Sequence, residues 1–161
     1  MAFCFFIRYF PIFRRVNSPD LKIENSPYKD LYQKKLSLAS GNFYIFEKYV
    51  IGEVHEGVHF NWDSASELIE LVYLHFGSRD IKVAYISNRV NSYSVHAQDW
   101  IQFYKERNHL EAFAVVAYTK IGFMNVVLEK IFSQARVRKF HTMEEAITWI
   151  EELKPHPTKV I

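Results

Sequence analysis

IKVAYISNRVNSYS, residues 81–94, sets a short apolar run against a polar one. Ile81, Val83, Ala84, Tyr85 and Ile86 have the length and β-branched or aromatic character of a buried strand. Ser87, Asn88 and Arg89 then read as a polar turn, because these residue types favour turns for local hydrogen-bonding reasons. Ser94 is placed to cap a helix from Val95 to about Arg107, with Ala97, Trp100, Ile101 and Tyr104 on its inner face. One strand, one polar connection and one helix make a βα unit, and the flanking sequence repeats that unit.

Downstream, Ala112–Tyr118 (AFAVVAY) is apolar at successive positions, as a strand covered on both faces should be. Thr119 then caps a predicted helix to about Phe132. Val137–Phe140 forms a last strand whose flanking Arg136, Arg138 and Lys139 suit a sheet edge. Thr142 and Glu145 make a capping box for a helix that Pro155 and Pro157 stop. Upstream, Phe43–Phe46 and Lys48–Val54 read as a hairpin turning at Glu47-Lys48. Asn61 caps a helix to Phe76, or Ser64 with Glu67 does so as a capping box three residues further on, with Ala65, Leu68, Ile69, Val72 and Phe76 on one stripe and Gly77 as terminator. The order β-β-α-β-α-β-α-β-α predicts an α/β fold, a single mainly parallel sheet of about five strands with the first strand antiparallel at the edge.

The chain has 161 residues, enough for one domain plus a tail, and 49% of them are hydrophobic. Cys4, the lone cysteine, can form no internal disulfide or thiolate metal site, which suits a cytoplasmic setting. Residues 1–40 carry seven Lys/Arg against three Asp/Glu, a balance of +4, and the remainder has a balance of −2. A mildly acidic domain lacks the basic face that nucleic acid requires, so no nucleic-acid partner is expected.

Three segments follow. Residues 1–40 read as an N-terminal extension, apolar over Met1–Phe13 and linker-like afterwards, 41–154 as the domain, and 155–161 as a C-terminal tail. Met1–Phe13 is too short to span a bilayer, which takes about 20 apolar residues. Its charges follow the apolar run rather than precede it, unlike a secretory signal. Three readings of it stand: a lipid-contacting interfacial segment, an element packed on the domain, or a start that is not native.

Several of these segments resemble the SpoIIAA-like group of STAS domains, of STAS/SEC14 type. The best pieces are EAFAVVAY (Glu111–Tyr118) and RVRKFHTMEEAITWIEEL (Arg136–Leu153), and the likeness spans Asn42 to Leu153. The resemblance implies a non-enzymatic regulatory module that binds another protein. In the family's anti-sigma-factor antagonists, a serine in an Asp-Ser-[Ser/Thr]-Gly turn is phosphorylated at the start of the helix after the third strand. Asn91-Ser92-Tyr93-Ser94 occupies that place here, with two serines but neither the Asp nor the Gly. Ser92 and Ser94 are thus the candidate phosphorylation sites. The SEC14 side implies instead a small apolar ligand or lipid, held in a pocket lined by Trp62, Trp100 or neighbouring aromatics.

Open α/β sheets bind ligands beyond the carboxyl ends of their strands. That rule selects a rim of Asn88, Arg89, Asn91 and Tyr93 after one strand, with Thr119 and Lys120 after the next. No GxSxG, P-loop, GxGxxG or HExxH occurs, and the five glycines are scattered, so neither a catalytic residue nor a cofactor is assigned. His55 and His59 stand four apart but straddle Glu56-Gly57, so the spacing does not gather them on a helix and no metal is assigned.

Overall fold

A computed structural model describes residues 21–106, 108–119 and 135–154. Its centre is a six-stranded sheet. Strands β1 (Lys34–Leu38), β2 (Gly41–Ile45) and β3 (Tyr49–Val54) form an antiparallel meander. Beyond β3 the sheet continues in parallel through β5 (Ala84–Arg89), β7 (Ala112–Ala117) and β8 (Arg136–Phe140). Two short strands, β4 (His59–Phe60) and β6 (Ser94–Val95), pair in parallel as a separate ribbon. Among the described residues there are three α-helices: α1 (Trp62–Phe76), α2 (Asp99–Lys105) and α3 (Met143–Glu151).

The pleat sorts side chains onto two faces. Ile51, Ile86, Ala114 and Val116 face α3, which buries Met143, Ala146, Ile147 and Ile150 against them. Phe43, Ile45, Val50 and Val54 face α1, which buries Leu68 and Val72. β3 and β7 are buried at every position, as double coverage demands.

Helix ends follow their local signals. The Asn61 side chain accepts from Ser64 N–H at 3.2 Å, and Gly77 ends α1 at φ 70°. Thr142 Oγ1 accepts from Glu145 N–H at 3.2 Å. Glu145 reaches back to His141 N–H, one residue before the cap. The hairpin also turns as expected: Phe46 N–H donates to the Tyr49 carbonyl across Glu47-Lys48.

Four expectations are corrected. First, residues 21–40 are not all linker. A 3₁₀ turn at Ile23–Asn25 buries Ile23 completely, and β1 adds a sixth strand, so β1 takes the edge, while β2 inside it remains the strand that runs against the other five. The segment looked unstructured because β1 is a solvated edge: only Leu36 is buried in KKLSL, opposite Phe43. A two-residue connection leads to Gly41, where a Cβ would stand 2.5 Å from the Glu53 carbonyl oxygen. Close approach of two backbones therefore requires glycine there.

Second, the strand expected at 81–86 is shifted to Ala84–Arg89, so Ser87, Asn88 and Arg89 are strand rather than turn. Third, no helix starts at Val95. Ser94 N–H donates to the Val58 carbonyl and His96 N–H to that of Phe60, which holds the segment extended. Helix α2 begins at Asp99, and its N-cap Gln98 makes no side-chain capping bond. Fourth, Ile101 is 57% exposed rather than inward, and the helix instead turns Trp100 and Phe103 toward the sheet side. The helix expected to follow Thr119 as far as Phe132, the segment Met1–Phe13 and the tail from Pro155 lie outside the described residues.

Candidate functional site

The end of the sheet predicted to carry a site is where β5 and β7 finish side by side, Arg89 opposite Ala117. Thr119 is exposed just beyond β7 on that same edge, and Lys120 lies outside the described residues. The rest of the predicted rim is dispersed. Asn88 has no exposed surface, and it points to the α3 face. Its Nδ2 donates to Glu53 Oε1 at 2.8 Å and to the Leu21 carbonyl at 3.1 Å, while its Oδ1 accepts from the Tyr118 hydroxyl at 2.7 Å. Asn91 staples its loop to β3 by donating to the Val54 carbonyl. Ser92 is exposed, and its backbone N–H donates to Glu56 Oε2 at 2.6 Å. Ser94 Oγ lies 2.7 Å from His59 Nδ1, across the β4–β6 ribbon.

Glu53 is the acceptor that organises the α3 side. Its carboxylate takes Ile23 N–H at 2.7 Å as well as the Asn88 amide, with Tyr44 Oη at 3.5 Å. Burial raises the Glu53 pKa above the ordinary carboxylate range, and those hydrogen bonds pull it partly back. Burial and the neighbouring Glu53 charge together hold the Tyr118 hydroxyl firmly protonated. This network ties the N-terminal segment, β3, β5 and Tyr118 together. Its centre, Glu53 and Asn88, is buried, and the network reads as structural.

The opposite face is open. Between the sheet and the pair α1 and α2 lies a cavity of about 160 Å³. Val54, Tyr85 and Phe113 contribute to its floor, Trp62, Ala65 and Ile69 to one wall, and Trp100 and Phe103 to the other. The aromatic rings brace one another: Trp100 lies 5.2 Å from Phe113 and 5.3 Å from Phe103, and Tyr85 stacks on Phe113 at 5.8 Å. Gly52 makes the floor fit, since a Cβ there would fall 2.0 Å from Tyr85 Oη. A glycine inside a strand is a signal of such close approach, and YVIGEV carries one.

Polar groups touch this cavity at few points. Ser87 Oγ and Tyr93 Oη share a hydrogen bond of 2.7 Å. The Arg89 guanidinium, in a residue 8% exposed, lies 5.4 Å from the Tyr93 ring centroid. His96 Nδ1 donates to Asp99 Oδ1 at 2.8 Å. Of the predicted rim, Arg89 and Tyr93 therefore meet here, as wall of a cavity rather than as an exposed edge. Trp62 and Trp100 meet here too, while Asp99, Tyr85 and Gly52 were not singled out from sequence.

Among the described residues no group of three or more His, Cys, Asp or Glu side chains is arranged to hold a metal ion, and no helix is long and apolar enough to cross a membrane. Comparison with protein-family models, with curated proteins and with solved structures returned no significant match to this chain.

Proposed function

We propose that this domain binds a small, largely apolar molecule between its sheet and helices α1 and α2. The observation that carries the proposal is the aromatic-walled cavity of about 160 Å³. Ligand sites are concave, mostly apolar and furnished with a few convergent polar groups. Apolar cavities of about 150 Å³ hold a benzene-sized guest. The ligand is accordingly about one ring in size, well short of a long-chain lipid.

Toluene titrated into the full chain is expected to bind with Kd of roughly 1 mM or tighter, an ordinary affinity for so few atoms. The readout is the fluorescence of Trp62 and Trp100 together with amide shifts of α1 and α2. Ala65→Phe, which puts a ring into the cavity, should abolish binding while the far-ultraviolet spectrum is preserved. A folded wild-type chain that shows neither shift at saturating toluene would overturn the proposal.

A second reading is regulation through a protein partner, and the exposed Ser92 favours it. A phosphate on Ser92 would stand close to the Glu56 carboxylate that grips its own N–H, and like charges would loosen the loop. Intact mass of the chain from its own cell should then show an added phosphate. A single unmodified mass under all growth conditions sinks this reading.

We also assign the chain to the SpoIIAA-like STAS class. The hairpin β2–β3, the parallel strands that follow it and the closing helix α3 support this. An experimental SpoIIAA-like structure with a different spatial order of strands would remove the assignment.

A further inference from the structure

One residue on the cavity side of the sheet has no side chain, and a neighbour fills its place. On β3, Val50, Gly52 and Val54 share the face that looks toward α1. Gly52 is paired with Phe43 on one side and Ser87 on the other. Tyr85 stands opposite Val50, yet the tip of its ring reaches diagonally over Gly52. A Cβ on Gly52 would fall 2.8 Å from Tyr85 Cζ and 3.0 Å from Phe43 Cδ1. Phe113, opposite Tyr85 on β7, stacks against the same ring at 5.8 Å.

These contacts fix where the ring can go. Backbone lies beneath its tip, and Phe43 and Phe113 stand beside it. The space left to it is the cavity of about 160 Å³ that Tyr85 and Phe113 both line. Ring and guest therefore compete for one volume. That volume suits a single-ring guest while Tyr85 stays down on Gly52.

We infer that Tyr85 sets the size of the ligand, one ring and not two, and that Gly52 is a positioning residue that acts through it. The inference rests on the proposed cavity function and names the residue that decides which apolar molecules enter. One methylene in an apolar pocket already discriminates by about 10–200-fold, so a second ring is a demanding difference.

Toluene and naphthalene are titrated into the full chain, with amide shifts of α1 and α2 as the readout. The wild type is expected to bind toluene at least tenfold more tightly than naphthalene. Tyr85→Ala empties the space of the ring, and a packed surround closes such a void only in part. Naphthalene should then bind at least tenfold more tightly than it does to the wild type. Tyr85→Phe keeps the ring and should keep the wild-type order. Gly52→Ala displaces the tip of a side chain rather than backbone, so the fold accepts it. The ring is driven up into the cavity, and toluene should bind at least tenfold more weakly. Adding Tyr85→Ala to Gly52→Ala should restore toluene binding, a rescue that a merely structural glycine would not allow.

Naphthalene as tight as toluene on the wild type, or an unchanged preference in folded Tyr85→Ala, would overturn the inference while the cavity function stands. So would a preference altered as much by Tyr85→Phe, or toluene binding undiminished in Gly52→Ala. The wild-type and Gly52→Ala comparisons hold if Tyr85→Ala fails to fold. Failure of toluene to bind the folded wild type would instead remove the cavity function itself.

Discussion

Asn88→Ala should destabilise the protein by about 3–5 kcal/mol, one of the largest effects open to a single polar substitution here. The amide has no exposed surface, so its hydrogen bonds are made inside the protein. Its loss strips one donor from Glu53, leaves the Tyr118 hydroxyl without its acceptor and frees the Leu21 carbonyl. The donor lost from buried Glu53 costs about 1–3 kcal/mol, the half-buried Tyr118 hydroxyl and the exposed Leu21 add less, and the emptied amide site adds a cavity cost. A thermal midpoint lowered by roughly 10 °C is the expected readout for a chain of this size. A drop of under about 2 °C would show that the network contributes little and that the residues around it relax.

The same network predicts a pH dependence. A carboxyl whose pKa is raised in the folded state binds its proton more readily there than in the unfolded chain. Its contribution to stability is therefore present at acid pH and is lost as pH rises from the ordinary carboxylate range through the raised value. Glu53→Gln keeps an acceptor for Ile23 N–H and Asn88 but cannot ionise. It should lack that loss, so the difference between Gln and wild type should grow in favour of Gln across that window. Urea melts at several pH values measure this, and parallel curves for the two proteins would contradict it.

Ile23→Ala is the second large effect, expected at about 2–5 kcal/mol. Ile23 has no exposed surface and packs in the cluster that contains Tyr44, Ile51 and Ile86. Its backbone N–H is also held by Glu53, so the segment is fixed at one residue by both packing and a charged hydrogen bond. Loss of the side chain leaves a void between sheet and turn that a surrounding β-structure closes only in part. A change below about 0.5 kcal/mol in equilibrium denaturation would mean that residues 21–33 dress the domain rather than belong to its core.

What could be read from sequence was what neighbours along the chain decide. The start of α1 at Asn61, its stop at Gly77, the box at Thr142 and the Glu47-Lys48 turn all depend on bonds that span four residues or fewer. The apolar density of AFAVVA announces a doubly covered strand without reference to its partners. Trp62 and Trp100 came as candidate pocket residues only with the apolar-ligand reading that the family resemblance implies, which no local pattern supplies.

Polar residues were misread wherever their partners are distant in sequence. Ser87, Asn88 and Arg89 have turn composition, yet Asn88 reaches Glu53 and Leu21, which stand 35 and 67 residues away. Ser94 has cap composition, yet β4 takes its backbone into a ribbon. KKLSL has one buried side chain, too few for a strand until β2 supplies the other half of the pair.

The amino-acid sequence alone settled the class of fold, an α/β chain with a largely parallel sheet, because hydrophobic period and capping chemistry act within a turn or a strand. Only the tertiary structure decided which face of the sheet is filled and which is open. The α3 side closes over Ile23 and the Glu53 network, while Gly52, Tyr85 and the helix pair leave a cavity opposite. That difference arises from how far apart packed elements come to rest, a quantity summed over side chains from six or more separate segments, and no local pattern contains it.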